Sequence, residues 1–116
     1  MSRRLCFALD LVDEPAKIAE YEEFHRPGRV WPEIVDDIGA QGIEGMEIWR
    51  TGDRMVMIAT VADDYPRARD IPAKFDAWEG LMWTFQKALP HAAPGQKWVP
   101  MKQIFDLAQQ KGVTAS

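Results

Sequence analysis

The sequence has few of the features that hold a protein together by disulfides or anchor it in a membrane. Cys6 is the single cysteine of the 116 residues, so no disulfide can form within the chain, as is usual in a reducing compartment. The first residues, MSRRLCFALDL, contain an apolar run too short for a signal peptide. No run approaches the roughly 20 apolar residues that span a bilayer. We therefore expect a cytoplasmic protein without a membrane partner.

The chain also lacks an excess of positive charge. It has 14 Lys and Arg against 18 Asp and Glu, which gives a formal net charge of −4, and neither sign forms a long block. Nucleic acid is therefore not an expected partner. The length and the 47% hydrophobic content fit one domain, which we expect over residues 1–108, with a frayed tail over residues 109–116.

The order of hydrophobic patterns along the chain predicts the fold class. The predicted elements are a strand at 5–11, a helix from Pro15 broken into two pieces at Pro27-Gly28, strands at 46–50 and 54–61, a helix over 72–87, and a last strand over 97–107. The order βαββαβ is ferredoxin-like, an α+β fold in which an antiparallel sheet carries both helices on one face. The other face is then uncovered and apolar, so we expect a homodimer.

The chain has two histidines, of which His25 lies four residues after Tyr21. Residues four apart lie one above the other on a helix, so one small molecule can touch both. An imidazole exchanges protons near neutral pH, and a phenol beside it donates or accepts a hydrogen bond. His25 is therefore either a buried structural residue or a catalytic one. Glu22 and His25 form a single E-x-x-H pair, whereas a di-metal site needs two, so no metal and no cofactor are expected.

Tryptophan is abundant, with five residues. The periodicity assigns Trp31, Trp78 and Trp98 to the core. Trp83 lies about 140° from Trp78 around the predicted helix, next to Glu79, off the apolar stripe. An exposed tryptophan beside a carboxylate is either an interface residue or a platform for the C–H face of a sugar, and we favour the platform.

Several segments together resemble the L-rhamnose mutarotase family. They are Phe7-Ala8-Leu9-Asp10-Leu11, Tyr21 to His25, Val30-Trp31-Pro32-Glu33, Met46-Glu47-Ile48-Trp49-Arg50, Trp78-Glu79-Gly80-Leu81-Met82-Trp83, Gly95-Gln96-Lys97-Trp98-Val99 and Ile104-Phe105-Asp106-Leu107. The resemblance implies a dimeric α+β barrel without cofactor or metal that interconverts the α and β anomers of L-rhamnose or a close 6-deoxy sugar.

The resemblance also implies roles for individual residues. His25 stands where the family has its proton donor, and Tyr21 stands where a tyrosine contacts the sugar. Met82 and Trp83 match the aromatic residues that close the pocket. Met46 stands where the family has a tyrosine, so that this chain lacks one hydroxyl at the sugar.

Ring opening of a sugar hemiacetal needs one proton placed on the ring oxygen and another removed from the anomeric hydroxyl. We expect His25 to donate and recover the ring proton. Tyr21, a carboxylate such as Asp10 or Glu79, or a water molecule is left as the second group. The alternatives are a cofactor-free monooxygenase or haem-degrading enzyme of the same dimeric fold, and a non-catalytic sugar-binding module.

Overall fold

The computed structural model describes residues 2–111 of the chain. The elements in these residues are β1 (Arg3–Leu11), α1 (Pro15–Phe24), α2 (Pro32–Ala40), β2 (Ile43–Thr51), β3 (Arg54–Val61), α3 (Phe75–Trp83), β4 (Gln86–Lys87), β5 (Val99–Pro100) and α4 (Leu107–Lys111). None of the described helices is both long and apolar enough to cross a membrane.

The strands form one curled antiparallel sheet in the order β2-β3-β1-β4, and β5 pairs with a different stretch of β1. The long strands β1 and β3 pair in an unbroken register from Arg3 opposite Val61 to Asp10 opposite Arg54. The predicted α+β class with an antiparallel sheet is confirmed, and in the structure β1 lies between β3 and β4.

Alternation along the strands divides the sheet into two faces. Leu9 and Leu11 of β1 and Met55 of β3 are almost fully buried on the face that carries the helices, which we call the inner face. The buried core cluster on this face consists of Leu9, Leu11, Tyr21, Ile34, Met55, Trp78, Met82 and Phe85. Trp31 and Trp98 pack against it, so the core assignment of these two and of Trp78 is confirmed.

The break predicted in the first helix is present. Pro15 occupies the first turn of α1, where a missing N–H costs nothing, and Glu14 precedes it without a capping hydrogen bond from its side chain. The helix ends at Phe24, before Pro27 and before Gly28, which has a φ of +81°. The chain resumes helical structure only at Pro32, so α1 and α2 are separate helices.

Two predicted element boundaries are wrong. The last strand was expected over residues 97–107, but only Val99 and Pro100 pair with β1. The N–H of Met101 still donates to the carbonyl of Cys6 at 2.8 Å, and beyond it the chain has no regular structure up to α4. The helix expected over residues 72–87 ends at Trp83, and Gln86 and Lys87 form β4 instead. Part of the predicted tail, residues 109–111, lies in α4, and residues 112–116 lie outside the described part of the chain.

The opposite side of the sheet, which we call the outer face, carries no helix in the part of the chain that the structure describes. Cross-strand pairing gives it the apolar side chains of Cys6, Ala8, Val56, Ile58 and Val99.

Beyond β5, residues 101–106 run on without regular structure, and we call them the C-terminal arm. Within this arm Ile104 is 90% exposed and Phe105 is 61% exposed. Such exposure of large apolar side chains usually marks a contact surface.

Candidate active site

A cavity of about 530 Å³ lies between the inner face of the sheet and the helices, within the size range of small-molecule sites. Its lining includes Phe7, Met46, Ile48 and Met57 from the sheet, Tyr21 and His25 from α1, Ile34 and Asp37 from α2, Trp78, Glu79 and Met82 from α3, and Gln86, Lys97 and Trp98 from the chain after α3. A smaller cavity of about 350 Å³ shares Tyr21, His25 and Ile48 with it.

The end of α1 brings Tyr21 and His25 together. Their rings lie 4.3 Å apart between centroids, and Tyr21 is 4% exposed while His25 is partly buried. The backbone N–H of His25 bonds to the carbonyl of Glu22, because the helix closes there. The predicted pair, one turn apart on one helix face, is therefore present in the cavity wall.

The proton position on His25 follows from one hydrogen bond. Nδ1 lies 2.7 Å from the backbone carbonyl oxygen of Tyr21, and a carbonyl oxygen only accepts, so Nδ1 carries the proton and donates it. Burial lowers the pKa of His25 below its usual 6.5, and the carbonyl of Tyr21 opposes this shift in part. The imidazole is thus neutral at pH 7, with an unprotonated Nε2 that can accept a proton.

Tyr21 stays protonated at neutral pH. Burial raises its pKa to about 12, a hydrogen bond from Gln86 acts in the opposite direction, and the charge of Glu79 raises the pKa further. Gln86 Nε2 donates to the phenol oxygen of Tyr21 at 3.2 Å. A neutral base and a neutral acid therefore lie side by side in one cavity wall.

The cavity wall also contains an ion pair. Lys97 Nζ donates to both the carboxylate and the backbone carbonyl of Glu79. The same Nζ lies 5.0 Å from the centre of the Trp83 ring, at cation–π distance. Trp83 is 36% exposed and does not itself line the cavity. The tryptophan ring beside His25 is that of Trp78, 5.9 Å away between centroids.

The other residues named from the sequence divide into two groups. Met46 and Met82 line the cavity with Tyr21 and His25. Asp10 does not, because it lies on the outer face, where Arg54 binds both of its oxygens at 2.7 and 3.1 Å. Glu22 bonds to Arg50, and among the described residues no group of His, Cys, Asp and Glu has the geometry of a metal site.

The polar residues of the cavity that were not singled out from the sequence include Gln86 and Lys97. Gln86 follows α3 at the point where a helix was predicted to continue, and Lys97 was placed in a strand that is mostly absent. A glutamine has no spacing signature of its own. Its position depends on the pairing of β4 with β1, a contact between residues far apart in sequence.

Comparison with known proteins finds relatives over most of the chain. A family model for L-rhamnose mutarotase matches residues 4–107. An L-fucose mutarotase from Xanthomonas campestris is 50% identical over 116 residues, covering 96% of this chain and 93% of the relative. A UPF0734 protein from Dictyostelium discoideum is 31% identical, with 86% of each chain covered.

A solved structure has the same fold. The crystal structure of an L-rhamnose mutarotase from Formosa agariphila superposes with a TM-score of 0.66, covering 90% of this chain and 97% of that one, at 18% identity. Taken together, these findings define a sugar mutarotase, an isomerase that acts on carbohydrates. The chain belongs to the L-rhamnose mutarotase family.

Proposed function

We propose that this protein interconverts the α and β anomers of a 6-deoxy-L-hexopyranose, with His25 as the proton-transfer residue. The observation that carries the proposal is the Nδ1 to Tyr21 carbonyl hydrogen bond, which leaves Nε2 of a neutral imidazole free to accept a proton in the cavity. The phenol of Tyr21 lies against the same imidazole and is the best partner acid, ahead of the ion-paired Glu79.

In the proposed mechanism both protons move during ring opening. His25 Nε2 takes the proton of the anomeric hydroxyl, the C1–O1 bond becomes a carbonyl, and the C1–O5 bond breaks. Tyr21 gives its proton to O5. After rotation about C1–C2, O5 attacks the other face of the carbonyl, the new hydroxyl regains its proton from His25, and Tyr21 recovers its own. The net reaction consumes no co-reactant.

The choice of sugar rests on the relatives and on the lining of the cavity. Because an L-fucose mutarotase is 50% identical to this chain, L-fucose is the first substrate to test, and L-rhamnose the second. Methionine side chains and the ring of Trp78 suit the methyl group and C–H face of a 6-deoxy sugar. We propose Tyr21, Met46 and Met82 as direct contacts, and Trp83 as a contact at the rim beside Lys97.

We further propose that two copies of the chain form a dimer through their outer faces. The support is the row of apolar side chains there and the exposed Ile104 and Phe105 of the adjacent C-terminal arm. A second copy is the simplest cover, since a shared patch repeated on both subunits closes the assembly. The cytoplasmic location expected from the sequence stays a prediction.

Saturation-transfer NMR of the anomeric protons tests the function. With wild-type protein we expect exchange between the anomers of L-fucose or L-rhamnose faster than in buffer alone. His25→Ala should lower the catalysed rate by about 10²–10⁴-fold, the usual contribution of acid–base catalysis, with an unchanged circular dichroism spectrum. His91→Ala is the matched control, because His91 is exposed in a loop outside the cavity lining.

Three outcomes would contradict the proposal. Near-normal exchange in His25→Ala would remove this residue from the mechanism. Sugar binding without exchange in the wild type would indicate a binding module. Tight binding of haem or consumption of O₂, without anomer exchange, would indicate an oxygenase of the same fold.

A further inference from the structure

Gln86 is a buried polar side chain in the wall of the cavity whose hydrogen bonding is incomplete. It is 7% exposed, and its Nε2 donates to the phenol oxygen of Tyr21 at 3.2 Å. Its Oε1 is buried and has no hydrogen-bond partner among the described residues. A buried acceptor left unpaired is costly, and most such atoms in folded proteins have a partner.

The sheet register fixes where this side chain points. Gln86 pairs with Leu11 of β1, and directly opposed residues of an antiparallel pair point to the same face. Leu11 is 1% exposed on the inner face, so Gln86 also lies on the inner face, where it lines the cavity. The unpaired Oε1 thus belongs to a residue of the cavity wall, where a sugar hydroxyl is a suitable donor.

The bond to Tyr21 has a consequence for the phenol proton. A phenol oxygen that accepts a hydrogen bond from Gln86 has its own proton left for another acceptor. Among the described residues the phenol oxygen of Tyr21 has its hydrogen bond with Gln86 and none with His25, whose Nδ1 donates to the Tyr21 carbonyl. The proton of Tyr21 is therefore available to an atom in the cavity.

We propose that Gln86 is a positioning and substrate-binding residue: it directs the Tyr21 proton towards the ring oxygen of the sugar and accepts a hydrogen bond from a sugar hydroxyl through Oε1. This inference rests on the proposed function, since it assigns Gln86 a part in the same reaction. It distinguishes two tasks, which different substitutions can separate.

Two variants of similar size separate these tasks. Gln86→Met removes both the donor and the acceptor, and we expect anomer exchange to fall by roughly 10- to 100-fold, together with weaker sugar binding. Gln86→Glu keeps the acceptor oxygens, but its carboxylate draws the Tyr21 proton to itself. We expect a comparable loss of exchange in Gln86→Glu, with sugar binding closer to that of the wild type.

Combination with Tyr21→Phe shows whether Gln86 acts through Tyr21. If it does, Gln86→Met should lower the maximal exchange rate much less in the Tyr21→Phe background than in the wild type, because the proton to be positioned is already absent. A purely structural role would give the same fractional loss in both backgrounds. Gln110→Met, on the exposed surface of α4, is the matched control and should leave exchange unchanged.

The measurements are saturation-transfer NMR with L-fucose and L-rhamnose, titration of tryptophan fluorescence with the same sugars, and a melting curve for each variant. If the wild type catalyses exchange and either Gln86→Met or Gln86→Glu is as active as the wild type, the proposed role of Gln86 is wrong and the proposed function stands. If one variant does not fold, the other still decides. A wild type that exchanges neither sugar overturns the proposed function and this role with it.

Discussion

Two features of the surroundings of His25 set its proton state, one through its pKa and the other through its tautomer. The surrounding side chains exclude water and disfavour the imidazolium, which lowers the pKa, and the carbonyl of Tyr21 fixes which nitrogen carries the proton. The resemblance implied a histidine that donates a proton first. The mechanism that we propose, based on the neutral form that burial favours, has His25 accept a proton first and return it when the ring closes.

The pH dependence of catalysis tests this order. In the proposed mechanism the neutral imidazole is the active form, and burial lowers its pKa, so exchange should stay level from pH 8 towards 7 and should begin to fall only at a lower pH than for an ordinary histidine. Below the pKa it should fall about tenfold per pH unit, because imidazolium cannot accept the anomeric proton. A rate that rises as the pH is lowered through 6.5, after subtraction of the buffer reaction, would show that imidazolium is the active form.

The acid limb must be measured where the protein is still folded. The unfolded chain binds a proton at the usual pKa of histidine, whereas the folded chain binds it only at lower pH. The unfolded state therefore binds more protons below about pH 6.5, so His25 contributes a loss of stability as the pH falls towards its folded pKa. A circular dichroism melt at each pH separates this loss from the loss of activity.

Spacing alone predicted the pairing of Tyr21 and His25, because both residues lie on one helix and one turn separates them. Gln86 could not be found in this way. It reaches Tyr21 across 65 residues of sequence, through a two-residue strand that no periodicity can reveal. Asp10 was a candidate for the second acid–base group. Its position on the outer face beside Arg54 depends on which side of the sheet carries the helices, and this is a tertiary contact that the sequence did not reveal.

At the scale of elements, the junction between α2 and β2 depends on Gly42. Its φ is +96°, and the space around its Cα hydrogens would admit a methyl group at ordinary contact distances of 3.5 Å. A substitution here is strained by the backbone conformation, because residues other than glycine rarely adopt a positive φ. Gly42 directly follows Gln41, the residue that caps the end of α2.

Paired glycine substitutions test this reading of the junction. Gly42→Ala should lower the free energy of unfolding by about 1–2 kcal/mol, since a residue with a Cβ pays for positive φ. Gly39→Ala, inside α2 with nothing within 4 Å of the added methyl, should raise it by about 0.5–1 kcal/mol. Urea unfolding at equal protein concentration measures both. Equal effects of the two substitutions would show that the backbone conformation at Gly42 is unimportant.

Elements with sustained periodicity were the ones that the sequence predicted well. The strands β1 and β3 hold eight or nine residues each, and their alternation is visible without any partner. The end of the chain was predicted poorly, because β4 and β5 have two residues each and exist only through their pairing with β1. Short elements of this kind follow from tertiary contacts.

At the scale of the whole molecule, the outer face gives the prediction of assembly. Ile58 lies in it, with Cys6 as its neighbour across β1 and Glu47 as its neighbour across β2. If a second copy covers this face, Ile58→Glu buries a charge at the contact and should release monomers.

The control for this experiment is Ile71→Glu, because Ile71 is 62% exposed and lies outside the regular elements and the outer face. We expect both this variant and the wild type to have the mass of two chains in sedimentation velocity at micromolar concentration. A wild type with the mass of one chain would refute the dimer. Retention of the dimer by Ile58→Glu would move the contact to another surface, such as the C-terminal arm.

The hydrogen bond that orients His25 ends on a main-chain atom, and this affects how the site tolerates mutation. A carbonyl group is present whatever amino acid occupies position 21, so no side-chain replacement there can delete the acceptor of Nδ1. Mutation can therefore separate the two contributions of Tyr21, which are its main-chain carbonyl and its phenol hydroxyl. A phenylalanine at this position removes the hydroxyl but leaves the main-chain carbonyl that fixes the tautomer of His25. Substitution at position 21 during evolution can therefore remove the proposed acid without changing which nitrogen of His25 carries the proton.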